Sequence, residues 1–336
     1  MCYTPGRMAP VRLAAYITFA LLGVGAVAYG LGPVLLAGLF SYTILDIANR
    51  KLTPTVGAFW ARWTAVLVFL LTATCGFWLF GKVIRESLQA IPAILAKVVP
   101  MVTETTAAYR IELPFENIEE LRRVALDTLK SNAADISHAS GILTKGFFHI
   151  LAGIFVAILA FLAEAMPGEA DGRSRREGNL HDAFRKEFDR RIARFMLSFE
   201  RVLGAQVLIS AINTVATTAF LLAMGYPFAA FLIPATFILG IMPIVGNIAS
   251  NMIIVGTGLT LSGKHAIGAL IFLIGIHKAE YFLNSRIVGS SIRTPMWQTL
   301  LAILLGEVVM GIPGIVLAPA LLHYAREELR DIPYEG

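Results

Sequence analysis

The chain has 336 residues, of which 57% are hydrophobic and only 15% charged. A water-soluble domain carries roughly 25% charged residues, so this chain has too little polar surface to cover a globule of its length, and the excess apolar side chains must face lipid. The net charge of +5 is modest and gathers in loops beside apolar runs, which argues against a nucleic-acid surface, while Cys2 and Cys75 suggest neither a disulfide framework nor a thiolate metal site.

Apolar segments fall at about 13–30, 33–46, 60–81, 146–163, 204–224, 228–243, 248–262, 266–283 and 297–323. Unsatisfied backbone amides cost several kcal/mol in lipid, and these runs lack the alternation of barrel strands, so they are expected to be helices. Arg7 and Arg12 precede the first run as in a secretion signal, but it continues past Gly30 without a polar cleavage region and reads as a retained span. Segments of 14–16 residues rise only about 21–24 Å, less than the ~30 Å hydrocarbon core, so some are broken, re-entrant or extended by their neighbours.

Lys and Arg placement sets the expected topology. Arg50, Lys51 and Arg62, and then Arg173, Arg175, Arg176, Arg185, Lys186, Arg190, Arg191, Arg194 and Arg201, mark two cytoplasmic loops. Both termini then lie inside, and four regions follow: three spans in 1–81, a non-cytoplasmic helical linker at 82–144, a span and a basic cytoplasmic helix in 145–203, and a transmembrane core at 204–336. In the linker, residues 113–132 place Leu113, Phe115, Ile118, Leu121, Val124, Ala125 and Leu129 at near-helical spacing, which predicts an amphipathic helix. The stretch 177–203 does the same with Phe184, Phe188, Ile192, Phe195, Met196 and Phe199, a face suited to anionic lipid or to the chain's own bundle.

The last third carries two breaks. Pro243 and Gly246 interrupt the helix pattern after 228–243, and Gly311, Pro313 and Gly314 interrupt the final apolar stretch near its middle. The second break makes either two short helices folded back on each other or one kinked span. The fold class is therefore all-α: a polytopic transmembrane helical bundle with broken or re-entrant helices in its C-terminal half.

Two strings carry a family resemblance: GYPFAAFLIPATFILGIMPIVGNIAS from Gly225 to Ser250, and HKAEYFLNSRIVGSSIRTPMWQTLLAILLGEVVMGIPGIVLAPALL from His277 to Leu322. The chain resembles the autoinducer-2 exporter family of bacterial membrane transporters, the PerM-like permeases, over nearly its whole length. The turn from Pro243 to Asn247 resembles the family's proline-glycine break. Arg286-Ile287-Val288-Gly289 is similar to its basic residue before a small hydrophobic-glycine motif, and Gly306, Gly311, Pro313, Gly314 and Pro319 to its final glycine-proline hairpin. Ser285 stands where the family often has proline, and Thr294 where a histidine commonly precedes proline. The resemblance implies an inner-membrane permease; members resembling this chain are linked to a furanone-like signal, to sodium-proton antiport and to other solutes, so it selects no cargo.

The candidate pathway residues are polar groups inside or beside apolar runs. A mid-membrane charge costs at least about 2.5–3.5 kcal/mol, so Glu307 is expected to face a cavity, pair with a cation or carry a proton; the alternative is a structural carboxylate tied to Arg286 or Lys278. His277, Glu280 and Asn284 share one helix side near Arg286, as pathway lining or as interfacial anchors. Asn247 and Asn251 follow the first break, where freed backbone groups and dipole ends bind solutes in transporters.

Enzymatic readings are disfavoured. Gly258, Gly263 and Lys264 have phosphate-loop spacing, but His265 stands where the magnesium-binding hydroxyl belongs, and neither a GxSxG elbow nor an HxxxH pair occurs. No cofactor, metal, catalytic residue or nucleic acid is expected. The implied partners are the lipid bilayer and a small solute, with proton or sodium coupling and homo-oligomerisation as further options. A permease is weighed against a membrane scaffold recruiting through 164–203 and a channel-like oligomer.

Overall fold

The computed structural model describes residues 8–78, 81–82, 85, 119–120, 123, 133–163, 180–242, 245–291 and 295–331. The amphipathic helix expected at 113–132 lies outside the described residues except at 119–120 and 123. Helices α1 (Met8–Ala28), α2 (Gly32–Val56), α3 (Ala58–Trp78), α4 (Ala133–Ala163), α5 (Leu180–Ala223), α6 (Ala229–Gly240), α7 (Val245–Leu261), α8 (Gly263–Ser291), α9 (Met296–Met310) and α10 (Ile312–Arg330) follow in order, with no strand among the described residues.

The helices Pro10–Ala28, Gly32–Val56, Ala58–Trp78, Thr144–Ala163 and Leu180–Ala223 are long and apolar enough to cross a bilayer, whereas Ala229–Gly240 and Trp297–Met310 are apolar but shorter. Large apolar side chains such as Leu21, Leu71, Phe155 and Val308 stand exposed, as lipid-facing side chains do. The chain is an all-α, multi-pass membrane protein.

The helix ends explain the turns. Gly30, at φ +64°, closes α1: its N–H meets the Val27 carbonyl, and the Leu31 N–H reaches the Ala26 carbonyl at 2.8 Å. Gly225 ends α5 in the same left-handed way. The sequence divides α5 at about 203, yet the structure runs one helix of 44 residues through that point. Gly204 is the only helix-weakening residue there, and an isolated glycine costs about 1 kcal/mol, too little to end a helix of this length.

The described residues cluster into two compact units. The first comprises residues up to Leu71, Gly146–Gly204 and Gly289 onward; the second comprises Thr72–Lys145 and Ala205–Val288. Residues 289–331 therefore group with the N-terminal spans, although sequence order places them with 204–288.

Within the first unit, the final apolar stretch is two helices. Gly311 at φ +64° separates α9 from α10, and Gly306 packs directly on Gly314. A β-carbon on Gly314 would meet the Gly306 carbonyl, so this approach requires glycine. Gly32 packs on Pro313, and Gly153 lies on the α2 backbone at Val34. Leu45, Ala65, Val66 and Phe161 form a buried apolar cluster in the same unit. In the second unit, Leu221, Tyr226, Leu232, Ile254 and Ala269 make the core. Gly258 is helical, packed on Tyr226 and Ala266, and offers no phosphate loop.

Gly314→Ala is expected to destabilise the protein by about 1–3 kcal/mol, since the new methyl meets backbone rather than a mobile side chain. Gly275→Ala, where the added β-carbon meets nothing within 4 Å, serves as the control. Thermal melting of both variants in detergent checks this; equal melting would contradict the close helix approach.

Candidate functional site

In the second unit, α6 ends at Gly240 and α7 begins at Val245, so carbonyls at the end of α6 lose their helical partners. Helix α5 supplies the replacements. Gln206 Nε2 donates to the Gly240 carbonyl at 2.8 Å, and Ser210 Oγ donates to the Phe237 carbonyl at 2.7 Å. Gly246 returns so close to Leu239 that a β-carbon there would strike the Leu239 carbonyl. Pro243 lies outside the described residues.

The same face of α5 continues through Asn213 to Thr217, at spacings that keep successive side chains on one side of a helix. Asn213 Nδ2 donates to Asn247 Oδ1 at 3.3 Å, and Asn247 Nδ2 donates to Glu280 Oε1 at 2.5 Å. Three helices, α5, α7 and α8, are thus joined by a chain of amides ending on a carboxylate. Asn213 and Asn247 are buried, and the Glu280 side chain is 12% exposed. Ser250 Oγ bonds Thr236 Oγ1 at 2.9 Å, a further tie across the break. Ile209, Ile212, Asn213, Ile276 and Glu280 line a small cavity of ≈ 10 Å³, about the room that one water needs.

The pathway residues expected from the sequence fall in different places. Asn247 and Glu280 meet, and His277 Nδ1 lies 3.8 Å from Glu280 Oε2 while its side chain is 71% exposed. Asn251 sits one turn beyond Asn247, half-buried and without a hydrogen-bond partner among the described residues. Arg286 lies on the helical backbone of α8, its side chain outside the described residues. Glu307 is exposed on α9 beside Leu304 and Val308, and its backbone carbonyl accepts the Gly311 N–H at 2.7 Å. No ion pair holds its carboxylate among the described residues of the first unit. Gly311 separates α9 from α10, and Pro313 and Gly314 lie in the first turn of α10. Gln206, Ser210 and Asn213 escaped the sequence reading, although polar residues at helical spacing inside the apolar run 204–224 were a visible signal.

The first unit holds a second polar cluster. Arg191 and Glu187 are each 2% exposed and paired at 2.7 Å, and the Arg191 guanidinium lies 4.0 Å from the Tyr16 ring centre. Tyr16 donates to Glu328 at 2.6 Å, while Arg194 bridges Glu328 at 2.8 Å and Asp331 at 2.7 Å. His323 Nδ1 meets Ser198 Oγ at 3.0 Å. Arg191 and Arg194 lie in the stretch that the sequence offers to anionic lipid or to the chain's own bundle, and both are engaged within the bundle. Removing one partner of such a buried pair costs about 3–5 kcal/mol, so this cluster fixes α1, α5 and α10 together.

A family model described as AI-2E family transporter matches residues 13–332. The chain belongs to the AI-2E transporter family. A 130-residue stretch is also 28% identical to "Putative transport protein YdbI" of Bacillus subtilis (strain 168), a match over 37% of this chain and 36% of that protein. Helix α6 ends at Gly240 and α7 begins at Val245, within the stretch where the sequence predicts its first break, and Gly311 separates α9 from α10 at the second.

Electrostatics in the first unit carry a pH signature. Burial pushes the Glu328 carboxyl upward, but hydrogen bonds from Tyr16 and Arg194 outweigh it and hold the group below the ordinary carboxylate value. A carboxyl lowered in the folded state adds stability above its unfolded value and loses it as pH falls through the folded one. The melting temperature is expected to drop with acidification through the carboxylate range. Glu328→Gln should melt lower at neutral pH and show a flatter acid dependence; an unchanged acid profile would contradict this assignment.

Proposed function

We propose that this AI-2E family member is a secondary transporter of a small solute in a bacterial inner membrane, with both termini cytoplasmic. The single observation that supports the reading is the broken helix α6–α7, held in the second unit by α5 and joined through Asn247 to the Glu280 carboxylate. Discontinuous helices in transporters place freed backbone groups and dipole ends at a binding site, and an intramembrane carboxylate beside such a break is suited to coupling.

Transport then proceeds by alternating access, with rearrangement at the α6–α7 break exposing the site to each side in turn. Glu280 carries the proton or sodium coupling in this reading. It is favoured over Glu307 because it is shielded and hydrogen-bonded at a break, whereas Glu307 is exposed on an apolar helix face. The solute is exported or exchanged down or against its gradient according to the coupling ion. The scaffold alternative needs a free recruiting face on the basic half of α5, and Arg191 and Arg194 are already engaged within the chain.

Reconstitution into sealed liposomes tests the proposal. With an internal pH dye, imposed sodium gradients and candidate-solute gradients are expected to drive proton movement in wild type. Glu280→Gln should lower that flux at least about tenfold, the scale expected when an intramembrane coupling carboxylate is neutralised, while Glu307→Gln retains most of it. Flux that survives Glu280→Gln and disappears in Glu307→Gln would return the coupling role to α9; equal flux in all three would contradict carboxylate coupling.

A further inference from the structure

In the first unit, Gly57 at φ +80° turns α2 into α3, and Arg62 follows just over one turn into the new helix. It stands three and four residues ahead of Ala65 and Val66, which places it on the side of α3 that faces their buried cluster with Leu45 and Phe161. The guanidinium carbon lies 5.9 Å from the Phe161 ring centre, a contact that compensates one face of the cation and supplies no hydrogen-bond acceptor. Arg62 Nη1 is shielded from solvent and has no hydrogen-bond partner among the described residues. Acids at this corner are already paired: Asp46, the one acid in α2 and α3, lies 3.2 Å from Arg50, and Glu200 of α5 lies 2.6 Å from the same arginine. Lys51, exposed near the end of α2, meets no carboxylate among the described residues either. A shielded charged donor left without an acceptor carries its full desolvation cost, so the corner calls for an anion.

We infer that the α2–α3 corner is a headgroup site for an acidic glycerophospholipid, whose phosphate takes the free edge of the Arg62 guanidinium. Its chemistry selects an oxyanion: arginine only donates, keeps its charge at any working pH, and presents a planar fork that matches phosphate oxygens two at a time. Its surroundings select the bilayer as the source. Phe59, Trp60 and Trp63 flank Arg62 and are each more than half exposed, as aromatic side chains are at headgroup depth, while Leu67, Val68 and Leu71 stand exposed farther along the same helix, as lipid-facing side chains do. The charge balance selects an acidic lipid. Lys51 and Arg62 leave positive charge unmatched at the corner, and a zwitterionic lipid would bring an ammonium of its own along with the phosphate. This site belongs to the first unit and does not depend on the transport reading, which rests on the second.

Purified full-length protein is melted in a neutral detergent supplemented with phosphatidylglycerol, with phosphatidylcholine or with inorganic phosphate. Binding to the folded state raises the melting temperature in a saturable way, so phosphatidylglycerol is expected to raise it, phosphatidylcholine much less, and inorganic phosphate at the same concentration not at all. Arg62→Gln should raise the half-saturating phosphatidylglycerol concentration at least about tenfold, because charge-assisted bonds to the phosphate are lost. Arg62→Lys keeps the charge without the fork and should fall between Arg62→Gln and wild type, a graded response that separates ligand loss from misfolding. Arg185→Gln removes an exposed arginine from α5 in the same unit and should leave the lipid response unchanged. An equal shift with phosphatidylcholine would overturn the inference, as would an equal shift with inorganic phosphate, which would assign the corner to a soluble anion. So would an unchanged phosphatidylglycerol response in Arg62→Gln, or the same loss of response in Arg185→Gln.

Discussion

A helix that stops inside an apolar medium leaves backbone carbonyls that nothing in the solvent can satisfy. The end of α6 is tolerated because α5 presents Gln206 and Ser210 at the right spacing to donate to the Gly240 and Phe237 carbonyls. Once those bonds exist, the chain can reverse tightly at Gly246 and place Asn247 against Glu280. The polar stripe on α5 is therefore a condition of the break, and the break is the condition of the site. The break stands between α6 and α7, and the carboxylate it positions comes from α8.

The first unit meets the same constraint with different means. Its hairpin turns at Gly311 and closes on a backbone-to-backbone contact of Gly306 with Gly314, which only residues without side chains allow. One charged cluster pairs Glu187 with Arg191 and Arg194 with Glu328, and Tyr16 donates to Glu328, so that these ionic groups compensate one another. Apolar packing alone offers little preference between one helix register and the next. Directional bonds of this kind specify which residues of α1, α5 and α10 meet.

Much of the architecture was legible in the sequence because lipid permits few solutions. Apolar runs without alternation had to be helices, and Pro243 with Gly246, and Gly311 with Pro313 and Gly314, marked the two interruptions. The continuity of α5 was harder to read, since the change from basic amphipathic to apolar composition near 203 resembles a boundary, while the backbone has no reason to stop there. At the site, Asn247, Glu280 and His277 stood out as polar residues in apolar surroundings. Gln206, Ser210 and Asn213 were passed over although their spacing puts them on one helix face, because the sequence does not show that their partners are the freed carbonyls of α6 and Asn247. Burial of Arg191 was equally hidden: a basic side chain near a membrane reads as a loop charge unless Glu187, one turn away, is seen to be enclosed with it.

The bond from Asn247 to Glu280 links the helix break to the carboxylate. A double-mutant cycle on thermodynamic stability, with Asn247→Ala, Glu280→Gln and the double variant, measures that link directly. A hydrogen bond to a charged, shielded group predicts a coupling of about 1.5–3 kcal/mol between the two sites. Strict additivity, with each substitution acting as though the other residue were absent, would contradict it.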